Sequence, residues 1–203
     1  MKYGNWTLGQ VEAVFNKLGG EEGVGRFLRG ELKVVEVTET LCYTLPVEIG
    51  RYKNKSATKV MAEQVLKSAG NRISDWARRN ILLLGEGDLV QEEETLMLRV
   101  ASGRELCGNR NATIAEIFAA GRARGWKLCP PETALALWEQ YVDQPSGEWL
   151  RIAMEPIVGS GGGPLVFSVA HDGGGRWLGA NSGHPDDEWS PDFLWVFLLP
   201  SKP

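Results

Sequence analysis

Short apolar runs alternate with glycine-rich turns over the last third of the chain, from residue 148 to 200. The runs have the length of strands and cover 149–157, 164–170, 176–180 and 193–199. The segments between them are rich in glycine, asparagine and aspartate, which tolerate the backbone conformations of tight turns. The pattern predicts a C-terminal antiparallel β-meander, and its loops are the place where a site is expected.

At the other end of the chain, the pattern predicts a helical hairpin between Trp6 and Gly30. Thr7 and Gln10 have the spacing of a capping box, which would satisfy free N–H groups at the start of the first helix. Gly19-Gly20 ends that helix, and 21–29 forms the second, with acids first and arginines last as the helix dipole favours. The predicted inward-facing residues are Leu8, Val11, Phe15, Leu18, Val24, Phe27 and Leu28.

The middle of the chain mixes strand-like and helix-like segments. Strands are predicted over 31–37, 41–45 and 95–101, and helices over 56–69, 74–84, 114–124 and 130–141. Thr113 and Glu116 form a second capping box, and Pro130-Pro131 suits the first turn of a helix that buries Leu135 and Trp138.

The predicted fold class is therefore α+β, with an N-terminal helical hairpin, mixed helices and strands, and a C-terminal antiparallel meander packed against helices. The acidic, glycine-containing stretch 85–94 is the predicted linker. It separates a helix-rich module over 1–90 from an α+β module over 95–203, although the two could pack as one unit.

Composition narrows the class of protein. An apolar share of 43% and a net charge of −4 are ordinary for a globular protein, and they disfavour a dedicated nucleic-acid binder. The three cysteines have no paired spacing, and no apolar run approaches the length of a membrane span. Because the start also lacks the pattern of a signal peptide, we expect a soluble cytoplasmic protein with no membrane partner.

Two histidines and nearby carboxylates raise the question of a metal site. His171 with Asp172, and His184 with Asp186 and Asp187, lie on successive turns of the predicted meander. Strand alternation places these turns at opposite ends of the sheet, and the spacing matches no metal motif. We therefore predict turn residues and solvated carboxylates there, with no metal ligand assigned and the cofactor unknown.

Cys129 is the candidate nucleophile of an enzyme hypothesis. It precedes a predicted helix N-terminus, where the helix dipole lowers the pKa of a thiol. His171 or His184, with Asn181, could complete a thiol-dependent hydrolase or transferase. Residues 165–183 resemble the hairpin of papain-like cysteine proteases, but Gly163-Pro164 stands where that family has its catalytic histidine. The resemblance therefore lacks its general base, and we favour the alternative interpretation of Cys129 as a small hydrophobe near a helix cap.

A third hypothesis concerns nucleic acid. The predicted helices of 56–84 are joined by 70–73, a length compatible with a helix-turn-helix. The phosphate contacts would come from Arg72, Arg78, Arg79 and Lys67, with Trp76 and Ile81 on the core side. A basic helix face is more often simply solvated, so this hypothesis ranks below the other two.

The favoured hypothesis is a non-catalytic binding or interaction protein. Trp177 and Trp189 flank the polar turn that contains Asn181, Asp186 and Asp187. Aromatic rings beside a glycine-rich sheet edge can stack on a ligand or on a partner's side chains. The partner, a protein or a small molecule, is left open.

Several stretches resemble an uncharacterised family of small bacterial proteins. They are 5–10, 18–24, 26–31, 72–77, 143–157 and 183–186 with Trp189. The resemblance extends over most of the chain and implies one recurring unit. It implies no activity.

Overall fold

A computed structural model describes residues 8–18, 20–31, 42–51, 71–84 and 88–200. The chain divides into two compact units, Met1–Thr38 and Glu39–Pro203. This division differs from the linker expected at 85–94, because the strand at Tyr43–Ile49 pairs with the strand at Glu94–Ser102. The predicted helix over 56–69 and the predicted strand over 31–37, apart from Glu31, lie outside the described residues.

The first unit contains the expected helical hairpin. Helix α1 covers Leu8–Lys17 and helix α2 covers Gly20–Leu28, and Gly20, the first residue of α2, has a φ of +69°. Gly23 is required by close approach, since a Cβ there would lie 1.4 Å from the carbonyl oxygen of Leu18. The inward-facing prediction is wrong for part of the hairpin. Leu28 is 77% exposed, and Val11, Phe15 and Phe27 are also exposed.

The second unit contains four helices and ten strands among its described residues. The helices are α3 (Asp75–Ile81), α4 (Gly103–Cys107), α5 (Ile114–Ala123) and α6 (Thr133–Gln140). The strands are β1 (Tyr43–Ile49), β2 (Asn71–Ile73), β3 (Glu94–Ser102), β4 (Ala112–Thr113), β5 (Trp149–Ile152), β6 (Ile157–Val158), β7 (Pro164–Asp172), β8 (Gly175–Ser182), β9 (Glu188–Trp189) and β10 (Leu194–Leu198). The α+β class is confirmed.

Local sequence signals place several of these helices. The capping box at the start of α5 is confirmed, since Thr113 Oγ1 accepts from Glu116 N–H at 3.2 Å and Glu116 accepts from Thr113 N–H at 2.9 Å. Ser74 Oγ caps α3 by accepting from Ala77 N–H at 3.1 Å. Each such cap stabilises a helix by about 1 kcal/mol.

The main sheet has the strand order β1-β3-β10-β5-β7-β8-β2, with β6 added on β7, and β4 and β9 form a separate ribbon. It is a mixed sheet, which corrects the antiparallel meander predicted from the sequence. β5, β7 and β8 are antiparallel neighbours, but β10 lies between β3 and β5 and runs parallel to β5. The long connection from β8 to β10 allows β10 to lie beside β5 and parallel to it. A short turn would instead have made β10 an antiparallel neighbour of β8.

Helices cover both faces of the sheet. On one face, α6 packs on β1, β7 and β8 and buries Leu135 and Trp138, as predicted. On the other face, Phe118 of α5 makes edge-to-face contacts with Trp195 and Phe197 of β10, at centroid distances of 5.9 and 6.4 Å. Burying one such side chain stabilises the fold by about 1.5–3 kcal/mol.

In the ranges that the structure describes, no helix is both long and apolar enough to cross a bilayer.

Candidate functional site

The face of the sheet that carries α5 continues over β5, β7 and β8, where Trp149 is exposed and Trp177 and Asn181 are partly exposed. Strand register aligns Trp149, Ala170 and Trp177 in one row, and Arg151, Ser168 and Gly179 in the next. Paired positions present their side chains on the same face of a sheet, so the two rows form one surface. We call this surface, together with Asn181 farther along β8, the open face.

A groove of about 330 Å³ crosses the open face between two tryptophans. Its lining includes Trp149, Ser168, Ala170, Trp177, Gly179 and Asn181. Gly179 keeps the floor low, since an added Cβ would lie 2.8 Å from Ser168 Oγ. The groove therefore brings together Trp177 and Asn181, two of the residues predicted from the sequence.

Some polar atoms of the groove already have hydrogen-bond partners within the chain, and others do not. Trp177 Nε1 donates to Asp172 Oδ1 at 3.0 Å, and the guanidinium of Arg72 lies 5.2 Å from the centre of the Trp177 ring. These contacts fix the orientation of the indole. By contrast, the buried Oδ1 of Asn181 accepts no hydrogen bond from the described residues. Its capacity to accept a hydrogen bond is therefore unused within the described residues.

A second cavity, of about 670 Å³, adjoins the groove at Trp149. Its lining includes Pro145, Gly147, Trp149, Arg151, Phe193 and Leu194, and we call it the Arg151 pocket. Trp149 is 48% exposed and lines both cavities. The groove and the Arg151 pocket therefore share a wall.

Arg151 is the unusual residue of this pocket. It is only 6% exposed, and its guanidinium carbon lies 3.7 Å from the centre of the Phe193 ring and 5.0 Å from the Trp189 ring. Burial lowers the pKa of Arg151 to about 10, so the group remains charged at neutral pH. In the part of the chain that the structure describes, neither Nε nor Nη1 has a hydrogen-bond acceptor.

Trp189, another residue predicted from the sequence, contributes to the site by packing against Arg151. Its ring packs edge-to-face on Phe193 and Trp195, at centroid distances of 5.7 and 5.5 Å, and faces the guanidinium of Arg151. Trp189 is partly exposed, as expected, and its ring also supports Arg151. Its direct stacking on a ligand stays a prediction.

Asp186, Asp187 and His184 lie apart from this site, on the connection between β8 and β9. His184 Nδ1 is 3.9 Å from Asp186 Oδ2, and the carbonyl oxygen of Asp187 accepts from Ile114 N–H at 3.2 Å. None of the three lines the groove or the Arg151 pocket. Asp186 is exposed, as the turn interpretation expected, whereas Asp187 is only partly exposed.

The two histidines lie toward opposite ends of the β7–β8 hairpin. His171 pairs with Arg176 next to the turn, whereas His184 follows Ser182, which pairs with Leu165 at the far end. His171 Nδ1 donates to the carbonyl oxygen of Gln144 at 2.5 Å. Among the described residues, no three histidine, cysteine or carboxylate groups are arranged to hold a metal ion.

Cys129 has the surroundings of a structural thiol. It is 3% exposed, its Sγ lies 3.5 Å from the carbonyl oxygen of Val196, and burial raises the pKa of the thiol. The sequence predicted the opposite direction, from the dipole of the following helix. The prediction was wrong because α6 begins only at Thr133, and because burial disfavours the charged thiolate.

The segment proposed for nucleic acid also differs from its prediction. Residues 71–73, expected as the turn between two helices, form strand β2, which runs parallel to β8. Trp76, expected on the core side of α3, is 41% exposed. The first of the two predicted helices lies outside the described residues.

Glu148, which also lines the Arg151 pocket, forms a polar cluster just before β5. The hydroxyl of Tyr43 donates to its carboxylate, and burial raises the pKa of Glu148. Gln144 Nε2 donates to the backbone oxygen of Glu148 at 3.3 Å. The cluster anchors the strand that carries Trp149 and Arg151.

Comparison of the chain with family models, curated proteins and solved structures finds no match. The resemblance to small bacterial proteins stays a prediction.

Sequence reasoning missed Arg151, Trp149 and Ser168. A usable signal was present in the first case, because Arg151 stands between Leu150 and Ile152 within an apolar strand. Because side chains alternate between the two faces of a strand, the guanidinium of Arg151 must lie on one face of the sheet. If that face belonged only to the hydrophobic core, an aliphatic residue would be expected at this position.

Proposed function

We propose that this chain is a non-catalytic binding protein that acts in the cytoplasm, and that the open face is its ligand-binding surface. The observation that carries the proposal is that two adjoining cavities share Trp149 and contain buried polar groups without partners among the described residues. Concave, mostly apolar surfaces with a few well-placed polar groups are typical of ligand sites.

The chemistry of the open face favours a flat, apolar ligand. The indoles of Trp149 and Trp177 are in register across β7, and the floor between them is Ala170. Asn181 supplies a polar atom at one end and Arg151 at the other. A planar group lying on this floor would contact aromatic rings and could accept or donate hydrogen bonds at its edges.

The thiol-dependent hydrolase or transferase is less well supported. Its nucleophile would be Cys129, whose burial and raised pKa keep the thiol protonated. Nucleophilic catalysis needs the thiolate beside a base, and His171 is hydrogen-bonded to a backbone carbonyl instead. These observations favour binding over catalysis by this cysteine.

Indole is a suitable neutral, planar probe for the open face, and its binding can be measured by ligand-observed NMR. We expect millimolar binding to the native chain. Trp149→Ala should weaken this binding about tenfold, the effect of losing one aromatic contact of about 1.4 kcal/mol.

Trp76→Ala is the matched control, because Trp76 is exposed to a similar degree and lies on α3, outside both cavities. It should leave indole binding unchanged. Equal binding by the two variants, or no binding of indole by the native chain, would contradict the proposal.

A further inference from the structure

A buried guanidinium without an acidic partner needs an explanation. Removing a charge from water is costly unless the charge is paired or well hydrogen-bonded. Arg151 forms no salt bridge with any carboxylate of the described chain, and its Nε and Nη1 lack acceptors there. Stacking on Phe193 and Trp189 stabilises the cation through its flat faces but leaves these N–H groups unsatisfied.

The two acidic residues at the pocket are engaged elsewhere. Asp192 Oδ1 lies 2.6 Å from Nη2 of Arg104, in a surface ion pair. Oε1 of Glu148 accepts from the hydroxyl of Tyr43, and its buried Oε2 has no partner among the described residues. An external anion would therefore meet Arg151 without displacing a partner.

The stacked position of Arg151 also selects the shape of an acceptor. The N–H groups at the edge of a guanidinium match a planar carboxylate through two parallel hydrogen bonds. To form both bonds, a carboxylate has to reach the buried Nε or Nη1 of Arg151. Arg151 is the only lysine or arginine among the described residues that line the pocket. Because the carboxylates of Glu148 and Asp192 also line the pocket, a monoanion meets less repulsion there than a dianionic phosphate.

Apart from Ser146, Glu148 and Asp192, the rest of the pocket lining is apolar or glycine. Trp149, Phe193, Leu194 and Pro145 surround the space next to Arg151. We propose that Arg151 anchors a carboxylate carried on a planar apolar group, with that group against Trp149 and Phe193. This inference rests on the proposed function and names the ligand class of the same surface.

Such a carboxylate could belong to a free small acid or to the last residue of a peptide chain. The two sources are represented by 3-phenylpropionate and by acetyl-Gly-Gly-Phe with a free C-terminus. Each is compared with its primary amide, which has the same shape without the charge. Isothermal titration or ligand-observed NMR gives the dissociation constants.

For the native chain, we expect at least one of the two acids to bind about tenfold or more tightly than its amide, because charge-assisted hydrogen bonds to an anion are stronger than neutral ones. Tighter binding of the peptide acid would assign the site to a chain terminus. Tighter binding of 3-phenylpropionate would assign it to small acids. Phenyl phosphate binding more tightly than both would overturn the carboxylate assignment.

Arg151→Met tests the role of the guanidinium directly. Replacing a buried charge with an apolar side chain of similar length often leaves stability unchanged or raises it, so the variant should fold. It should bind acid and amide equally, whereas Arg79→Gln, which removes an exposed arginine of α3, should keep the preference. Thermal unfolding of both variants checks their folding.

The outcomes separate this inference from the proposed function. If indole binding depends on Trp149 but acids and amides bind equally to the native chain, the open face is a binding surface and the role of Arg151 is wrong. If the Arg151→Met variant keeps the preference for acids, the guanidinium of Arg151 is not the group that binds the carboxylate. If the preference for acids depends on Arg151 but indole binding does not depend on Trp149, the role of Arg151 in binding a carboxylate is supported. The proposal that the open face binds ligands through Trp149 is then contradicted.

Discussion

Glu132 Oε1 accepts a hydrogen bond from the backbone N–H of Gly50 at 2.6 Å, although the two residues belong to different layers of the fold. Its second oxygen accepts from Val90 N–H at 2.8 Å. Glu132 is fully buried before α6, so one carboxylate satisfies two backbone donors from two loops. It joins the end of β1 and the segment before β3 to the helix that covers the sheet.

We expect Glu132→Ala to destabilise the chain by about 2–4 kcal/mol, because it leaves two buried N–H groups without acceptors. Glu132→Gln keeps one carbonyl acceptor and should lose about half as much. Urea unfolding followed by tryptophan fluorescence measures both. An unchanged unfolding midpoint for Glu132→Ala would show that these loops find other partners.

Gly50 is predicted to be intolerant of any side chain. Its φ is +88°, and an added Cβ would lie 2.2 Å from the carbonyl oxygen of Glu92. Gly108 has a similar φ of +81° but open space around it. Gly108→Ala should cost about 1–2 kcal/mol from backbone strain alone, and Gly50→Ala clearly more. Equal losses in urea unfolding would mean that the loop at Glu92 moves to relieve the contact.

The ion pair between Arg110 and Glu116 should make stability depend on pH. The hydrogen bond from Arg110, with that from Thr113 N–H, lowers the pKa of Glu116 to about 2 in the folded state. An unfolded glutamate titrates near 4.3, so this contribution is complete above about pH 4.3 and declines as the pH falls towards 2. The stability difference between the native chain and Glu116→Gln should therefore shrink over that interval. A difference independent of pH would contradict the assignment.

Cys129 should be unreactive in the folded protein. Burial raises the pKa of its thiol and blocks access to a reagent. With iodoacetamide at pH 7.5, mass spectrometry should find Cys129 unmodified until urea unfolds the chain. Cys107, which is partly exposed, is the internal control and should react slowly under native conditions. Faster native alkylation of Cys129 than of Cys107 would revive the thiol-dependent hypothesis.

Features that depend on neighbouring residues could be predicted from the sequence. The capping box of Thr113 and Glu116 and the cap at Ser74 involve groups three residues apart, so their spacing alone defines them. The β7–β8 hairpin follows in the same way from two apolar runs around a glycine turn. The site was predicted in part, because alternation along β8 puts Trp177 and Asn181 on one face.

The order of strands and the surroundings of each charge depend on contacts between residues distant in the chain. Nothing near β10 in the sequence indicates that it lies between β3 and β5, since many pairings bury an equally apolar strand. That insertion brings Phe193 against Arg151 and α5 against Trp195. The amino-acid sequence by itself determined the helix starts, the hairpin and the alternation of faces, because these are short-range. Only the tertiary structure decided that Arg151 is buried among aromatic rings, because burial depends on which distant segments cover a residue.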